Sequence, residues 1–191
     1  MYIVIYKYSM SLVNMGSVLS FFNSWAFDSK QAQILILGLD ASGKTTILNR
    51  LKHGDHTVTI PTIGFNHESF TYGNLTFSAF DIGGQTKFRK LWHHYYSNTD
   101  AIVFVIDAVD KARFGTAQTE LHALMANPVL QNIPFLIFAN KQDLPNSATT
   151  AEVTSAMNMY SVKNRQWKVC ESIGSSGVGI DQGFEWLSQN I

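Results

Sequence analysis

With 191 residues the chain has room for one domain of ordinary size and a short appendage, and a hydrophobic content of 46% supplies a sizeable core. Its 14 lysines and arginines balance 14 aspartates and glutamates, and no basic run occurs, which excludes a nucleic-acid surface or a polybasic membrane patch and leaves partners to be recognised by shape and local chemistry. The single cysteine, Cys170, excludes a disulfide within the chain and suits a small buried strand residue in the cytosol.

The first thirty residues carry only Lys7, Asp28 and Lys30 as charges and read as an appendage. Met1 to Tyr6 has no positive charge ahead of its apolar stretch, which argues against a secretory signal, and no run reaches the length of a membrane span. Val18, Leu19, Phe22 and Trp25, with Ala26 alongside, recur at three- and four-residue spacing against polar Ser17, Ser20, Asn23 and Ser24, so a helix with one apolar face is expected from Gly16 to Phe27. Three units follow: 1–14 as an extension, 15–30 as amphipathic helix and linker, and 31–191 as the globular domain. The sequence Met15-Gly16-Ser17-Val18-Leu19-Ser20 fits N-myristoylation of Gly16 if translation starts at Met15.

Beyond the appendage, short runs rich in Ile, Val and Phe at Ile34 to Leu37, Ala101 to Ile106 and Phe135 to Ala139 predict strands buried on both faces of a parallel sheet. Amphipathic stretches at Lys44 to Lys52, Lys87 to Ser97, Phe114 to Ala126, Thr150 to Met157 and Gly183 to Asn190 predict the crossover helices of βαβ units. Between Asn66 and Phe80, the Tyr72-Gly73-Asn74 step predicts one antiparallel hairpin. A last apolar stretch, Trp167 to Cys170, holds the cysteine.

Chemistry is written at the ends of these strands. Gly38-Leu39-Asp40-Ala41-Ser42-Gly43-Lys44-Thr45 has the G-x-x-x-x-G-K-T form that wraps backbone N–H groups around nucleotide phosphates, with Lys44 on the β/γ-phosphates and the Thr45 hydroxyl on Mg²⁺. Asn140-Lys141-Gln142-Asp143 places a carboxylate, Asp143, where it can accept from the N1 and N2 donors of guanine. Together they predict binding of GTP and GDP, with Asp40, Ala41, Ser42, Gly43, Lys44, Thr45, Thr46, Asn140, Lys141 and Asp143 lining the nucleotide. Thr62, in Thr59-Ile60-Pro61-Thr62-Ile63-Gly64, is the candidate second hydroxyl on Mg²⁺ when a γ-phosphate holds that loop. Asp81-Ile82-Gly83-Gly84-Gln85 offers a carboxylate to Mg²⁺ through a water, a Gly84 N–H to the γ-phosphate, and Gln85 to orient the attacking water. Gln85, Lys44 and Thr62 form the catalytic set. His53 to Pro61 contains no arginine and Arg50 should lie back in the first helix, so an arginine finger is expected from an activating protein and unaided turnover should be slow. His53, His56 and His67 lack ligand spacing, and the adjacent His93 and His94 are expected on different faces of a helix, which argues against zinc. An ATP-using kinase would leave Asn140-Lys141-Gln142-Asp143 without purpose. A non-hydrolysing scaffold would be expected to lack Lys44, Thr62 or Gln85.

The set Gly38 to Thr46, Pro61-Thr62-Ile63-Gly64-Phe65-Asn66, Asp81 to Gln85, Leu91-Trp92-His93-His94-Tyr95-Tyr96 and Asn140 to Pro145 resembles the ADP-ribosylation factor (Arf) family of small GTPases. The resemblance runs from about Met15 to the C-terminus. It implies a small-GTPase form of the P-loop fold, α/β with a mostly parallel six-stranded sheet, one antiparallel hairpin strand and helices on both faces. It further implies a cytoplasmic switch that associates reversibly with Golgi or other endomembranes in vesicle-mediated transport, served by an exchange factor, an activating protein and effectors. In similar proteins the hairpin, here Phe65 to Phe80, slides when GTP binds and displaces the N-terminal helix, and Phe65, Phe80, Trp92 and Tyr95 fall at the effector surface. Phe80 stands where many members have tryptophan. The loop behind the guanine, usually like Cys-Ala-Thr, is Ile173-Gly174-Ser175 here, and the Gly174 N–H is expected to reach the guanine O6, with Ser175 beside it.

Overall fold

The computed structural model describes residues 30–53, 65–72 and 75–191. The expected N-terminal helix with Gly16, the loop carrying Thr62 and the Gly73-Asn74 reversal lie outside the described residues.

The buried apolar runs do form strands. β1 (Lys30–Leu37), β2 (Phe65–Tyr72), β3 (Leu75–Ile82), β4 (Ala101–Asp107), β5 (Phe135–Asn140) and β6 (Trp167–Ser172) make one sheet in the order β2-β3-β1-β4-β5-β6. All neighbours are parallel except β2 and β3, which pair antiparallel from Phe65↔Ile82 to Tyr72↔Leu75. In β4, Ala101 to Ile106 are buried without alternation, as a central strand covered on both faces requires.

Among the described residues four α-helices connect strands, α1 (Lys44–His53), α2 (Thr86–Arg89), α3 (Phe114–Met125) and α4 (Thr150–Ala156), and α5 (Ile180–Ser188) follows β6. One core layer joins Leu35, Leu37, Phe104 and Ile106 to Leu121 and Leu124 of α3 and Val153 of α4. The other joins Ile34, Ile36, Val103, Val105 and Phe138 to Ile47 and Leu48 of α1 and Phe184 and Leu187 of α5. Phe184 meets Phe70 and Phe77 edge-on, each with centroids 5.7 Å apart, a favoured aromatic geometry. α4 starts at a capping box in which Thr149 and Glu152 satisfy each other's backbone N–H.

Two helices depart from expectation. The Lys87 to Ser97 stretch divides into the single turn α2 and a 3-10 turn at Trp92–Tyr95. Trp92 to Tyr96 is a run of aromatic residues and histidines of modest helix propensity, and the chain tightens to i→i−3 bonds such as His94 N–H to the Leu91 carbonyl while Trp92 enters the core at 2% exposure. α5 begins three positions before Gly183, because Ile180 completes the buried stripe with Gly183, Phe184 and Leu187.

Candidate functional site

Parallel pairing brings the carboxyl ends of successive strands to one edge of the sheet, where ligands of such folds bind. Register fixes the alignment: Ile36 pairs with Asp81, Leu37 with Phe104, Asp107 with Asn140, and Asn140 with Ser172. The phosphate loop, Asp81 to Gln85, Asn140 to Asp143 and Ile173 to Gly177 therefore stand side by side.

Asn140 is the knot. It is 2% exposed, its Nδ2 donates to the Ser42 carbonyl at 2.8 Å, and its Oδ1 accepts from Gly174 N–H at 2.9 Å and Ser172 Oγ at 3.1 Å. One amide thus ties the phosphate loop to two strand ends. Gly43 has φ 96° and a Cβ there would lie 2.3 Å from Asn140 Nδ2, so both the dihedral and the contact demand glycine. Ala41, at φ 61°, completes the unusual turn. Lys141, at φ 70°, reaches across to Asp107, Nζ to Oδ2 2.6 Å. Asp143 is exposed.

Lys44 opens α1 at 5% exposure, and its ammonium donates to the Leu39 carbonyl at 2.8 Å. Burial pulls this amine below its ordinary pKa; the carboxylates of Asp81 and Asp40 oppose the shift, while the guanidinium groups of Arg89 and Arg113 add to it. Beside it the Thr45 hydroxyl donates to Asp81 Oδ2. Asp81 is fully buried. A hydroxyl and a carboxylate in contact next to a phosphate loop form the hard oxygen set that Mg²⁺ takes, and the loop's positive-φ turns form the cradle a polyphosphate takes, so the residues present fit both groups.

Gly84 lies directly on the phosphate loop. A Cβ there would stand 2.3 Å from the Leu39 carbonyl carbon and 2.4 Å from both Asp40 N and Gly38 O, all backbone atoms unable to swing aside. Overpacking costs roughly 1–3 kcal/mol, so Gly84→Ala is expected to push the loops apart and weaken GTP relative to GDP by about tenfold or more. Titration with the two fluorescent nucleotides checks this, and an unchanged ratio would show that the contact opens freely. Gln85 follows as N-cap of α2, its side chain not engaged in capping.

Several site residues sit elsewhere than expected. Trp92, expected at an effector surface, is 2% exposed here with its Nε1 buried without a partner, because the 3-10 turn points it into the core. Phe80 and Tyr95 are half-buried and tilt against each other at 5.4 Å, with His67 stacked on Phe80 at 4.5 Å. Phe65 opens β2, its side chain lying outside what is described. The Gly174 N–H goes to Asn140 rather than standing clear for a base, since a buried amide must satisfy both its ends; Ser175 is half-buried beside it. His93 and His94, expected to diverge, have ring centroids 3.9 Å apart on the 3-10 turn, yet among the described residues no group of three His, Cys, Asp or Glu suits a metal.

Two arginines were missed, lacking any motif. Arg89 donates from Nε to the Gly84 carbonyl at 2.8 Å and from NH1 to Glu120 at 2.9 Å, bracing the Gly84 loop against α3. Arg113 contacts Asp40 of the phosphate loop.

The model of the ADP-ribosylation factor family matches residues 17–191. The chain belongs to that family. Among solved structures it is similar to the Arl6 BBS3 small GTPase from Trypanosoma brucei, determined with the bound nucleotide analogue GppNp, at 35% identity and a TM-score of 0.79, covering 84% of this chain and 96% of that one. The six-stranded sheet with its antiparallel edge pair is therefore the small-GTPase fold, and GTP and GDP are the ligands of this Arf-family site.

Proposed function

We propose that this Arf-family protein is a GTP/GDP-operated molecular switch that hydrolyses GTP slowly on its own and faster with an activating protein, and that in its GTP state it binds membrane and recruits effectors in vesicle-mediated transport. The observation that carries the reading is the contact of Gly84 with Leu39 and Asp40: a residue from the Asp81 to Gln85 segment touches the phosphate loop backbone, so a γ-phosphate there would be felt at once by β3 and α2.

In this mechanism Lys44 places its charge on the β/γ-phosphates, the loop N–H groups hold the polyphosphate, and the Gly84 N–H turns to the γ-phosphate. Gln85 holds the attacking water with its carbonyl oxygen and NH₂. Thr45, Thr62 and, through water, Asp81 would hold Mg²⁺, which would supply Lewis-acid stabilisation of developing negative charge. The Arg89 and Arg113 guanidiniums are engaged with Gly84 and Asp40, which supports an arginine finger supplied by the activating protein. An exchange factor would open the site for GDP release.

Guanine recognition is tested at Asp143. Removing a charged acceptor from two ring donors strands them, at about 1.5–3 kcal/mol per charged bond, so Asp143→Asn is expected to weaken GTP by about a hundredfold and to favour xanthosine triphosphate. Equal affinity of the native chain for ATP and GTP would reject the reading. The membrane step is tested by liposome flotation of protein beginning at Gly16 and acylated there. One myristoyl chain binds only at about 10⁴ M⁻¹, so the apolar helix face must add to it, and flotation is expected with a non-hydrolysable GTP analogue and not with GDP. Equal flotation in both states would reject the switch. Cytoplasmic residence with reversible attachment to Golgi or other endomembranes belongs to the same proposal.

A further inference from the structure

Asp40 is an awkward residue for a phosphate loop. It adds a carboxylate, 47% exposed, to the loop that would cradle a polyanion, and its backbone N lies beside Gly84, the residue proposed above to meet the γ-phosphate. The structure shows what offsets this. Arg113, at the end of a 3-10 turn Lys111–Arg113 after β4, donates from NH1 to Asp40 Oδ1 at 3.1 Å, from NH2 to the Asp40 carbonyl at 3.2 Å and from Nε to Asp110 Oδ2. The rigid guanidinium fork thus holds the loop residue by side chain and backbone at once, which an ammonium could not do.

A fold brace is the competing explanation. The two side chains are 35% and 47% exposed, and ion pairs so exposed add little to stability. The guanidinium, however, grips the phosphate loop itself, meeting both the carboxylate and the backbone carbonyl of Asp40, a placement that a surface ion pair serving stability alone does not require.

We infer that Arg113 is a positioning residue for the triphosphate: by holding and neutralising the Asp40 carboxylate at the γ end of the phosphate loop, it lets this chain retain GTP as well as GDP. The inference rests on the guanine-nucleotide reading proposed above and names the residue that keeps one element of that site compatible with the extra charge. GTP brings one more negative charge than GDP, at the end where Asp40 lies, so losing Arg113 should burden GTP more.

Dissociation rates of GTPγS and GDP are to be measured for native protein and for Arg113→Ala, Arg113→Lys, Asp40→Asn and Arg113→Ala/Asp40→Asn, at low and high salt, with thermal melts of each. Arg113→Ala is expected to speed GTPγS release about tenfold and GDP release less than about threefold, the difference shrinking towards 1 M salt, where the screening length is about 3 Å. Arg113→Lys, keeping charge without the fork, should fall between. Adding Asp40→Asn to Arg113→Ala should return GTPγS release to within about twofold of native, because the stranded carboxylate is gone. Equal acceleration of both nucleotides, salt independence, or no rescue by Asp40→Asn would overturn the inference and leave Arg113 as a brace. Should Arg113→Ala fail to fold, Asp40→Asn alone decides: slower GTPγS release relative to GDP supports the inference, and faster release overturns it. A native chain that takes up neither nucleotide would instead refute the guanine-nucleotide reading itself.

Discussion

Asn140→Ala is expected to release bound guanine nucleotide about a hundred- to a thousandfold faster than the native chain. The magnitude follows from what one side chain holds. Its Nδ2 satisfies the Ser42 carbonyl and its Oδ1 satisfies Gly174 N–H and Ser172 Oγ, all in a site where Asn140 is 2% exposed. Truncation leaves three polar groups without their protein partner, each costing roughly 1–3 kcal/mol when buried, and removes the contact under Gly43. Water entering the gap would recover part of the loss. The damage should fall on GTP and GDP alike, because the knot lies below the cradle and distinguishes neither. Stopped-flow release of a fluorescent nucleotide checks it; a change under about threefold would mean that the loops hold their shape without the amide.

Gln85→Leu has the opposite signature. Binding of GTP should stay within about threefold of native, since Gln85 is half-buried at the N-cap of α2, with φ −63°, ψ 145° and no capping bond to lose. Hydrolysis stimulated by an activating protein should fall about 10²–10³-fold, the scale of losing one aligned polar group at a reacting centre. Leucine fills similar space but offers neither donor nor acceptor to a water. Single-turnover release of phosphate, with the activating protein saturating, measures the step without interference from exchange. Hydrolysis as fast as native would remove Gln85 from the chemistry.

The strands and the phosphate loop were legible in the sequence because their signals are local. Ala101 to Ile106 and Phe135 to Ala139 are apolar without alternation, which only a doubly covered strand tolerates, and a glycine-bracketed lysine marks its own turn. Elements governed by tertiary context were less legible. The Lys87 to Ser97 stretch has helical spacing, but it bends into two short turns because Trp92 reaches the core, and that core is assembled from residues distant in sequence. Distance along the chain also hid Arg89 on Glu120 and Arg113 on Asp40, pairs with no spacing rule. Asn140 was found, but as part of a guanine motif; its work as a tie between loops became apparent only from its partners. The Gly84 contact was legible as chemistry, a residue with no side chain in the way, and not as the backbone collision that Gly84→Ala would create.

The strand order carries a consequence for how the chain is made. β1 emerges early during synthesis, yet in the sheet it lies between β3 and β4, so Leu37, at the root of the phosphate loop, waits for Phe104, and the loop itself waits longer for Asn140. β2 and β3, separated by only two residues, pair at one edge of the sheet, whereas the phosphate loop hangs on the distant pairings. Assembly from such distant pairings is slow, on the order of milliseconds to seconds in mixed and β-rich domains, and leaves unpaired strand edges during translation. A growing chain released before Asn140 would therefore own a complete phosphate-loop sequence and no site to hold it, making nucleotide retention a late acquisition and a sharp marker that synthesis has passed β5.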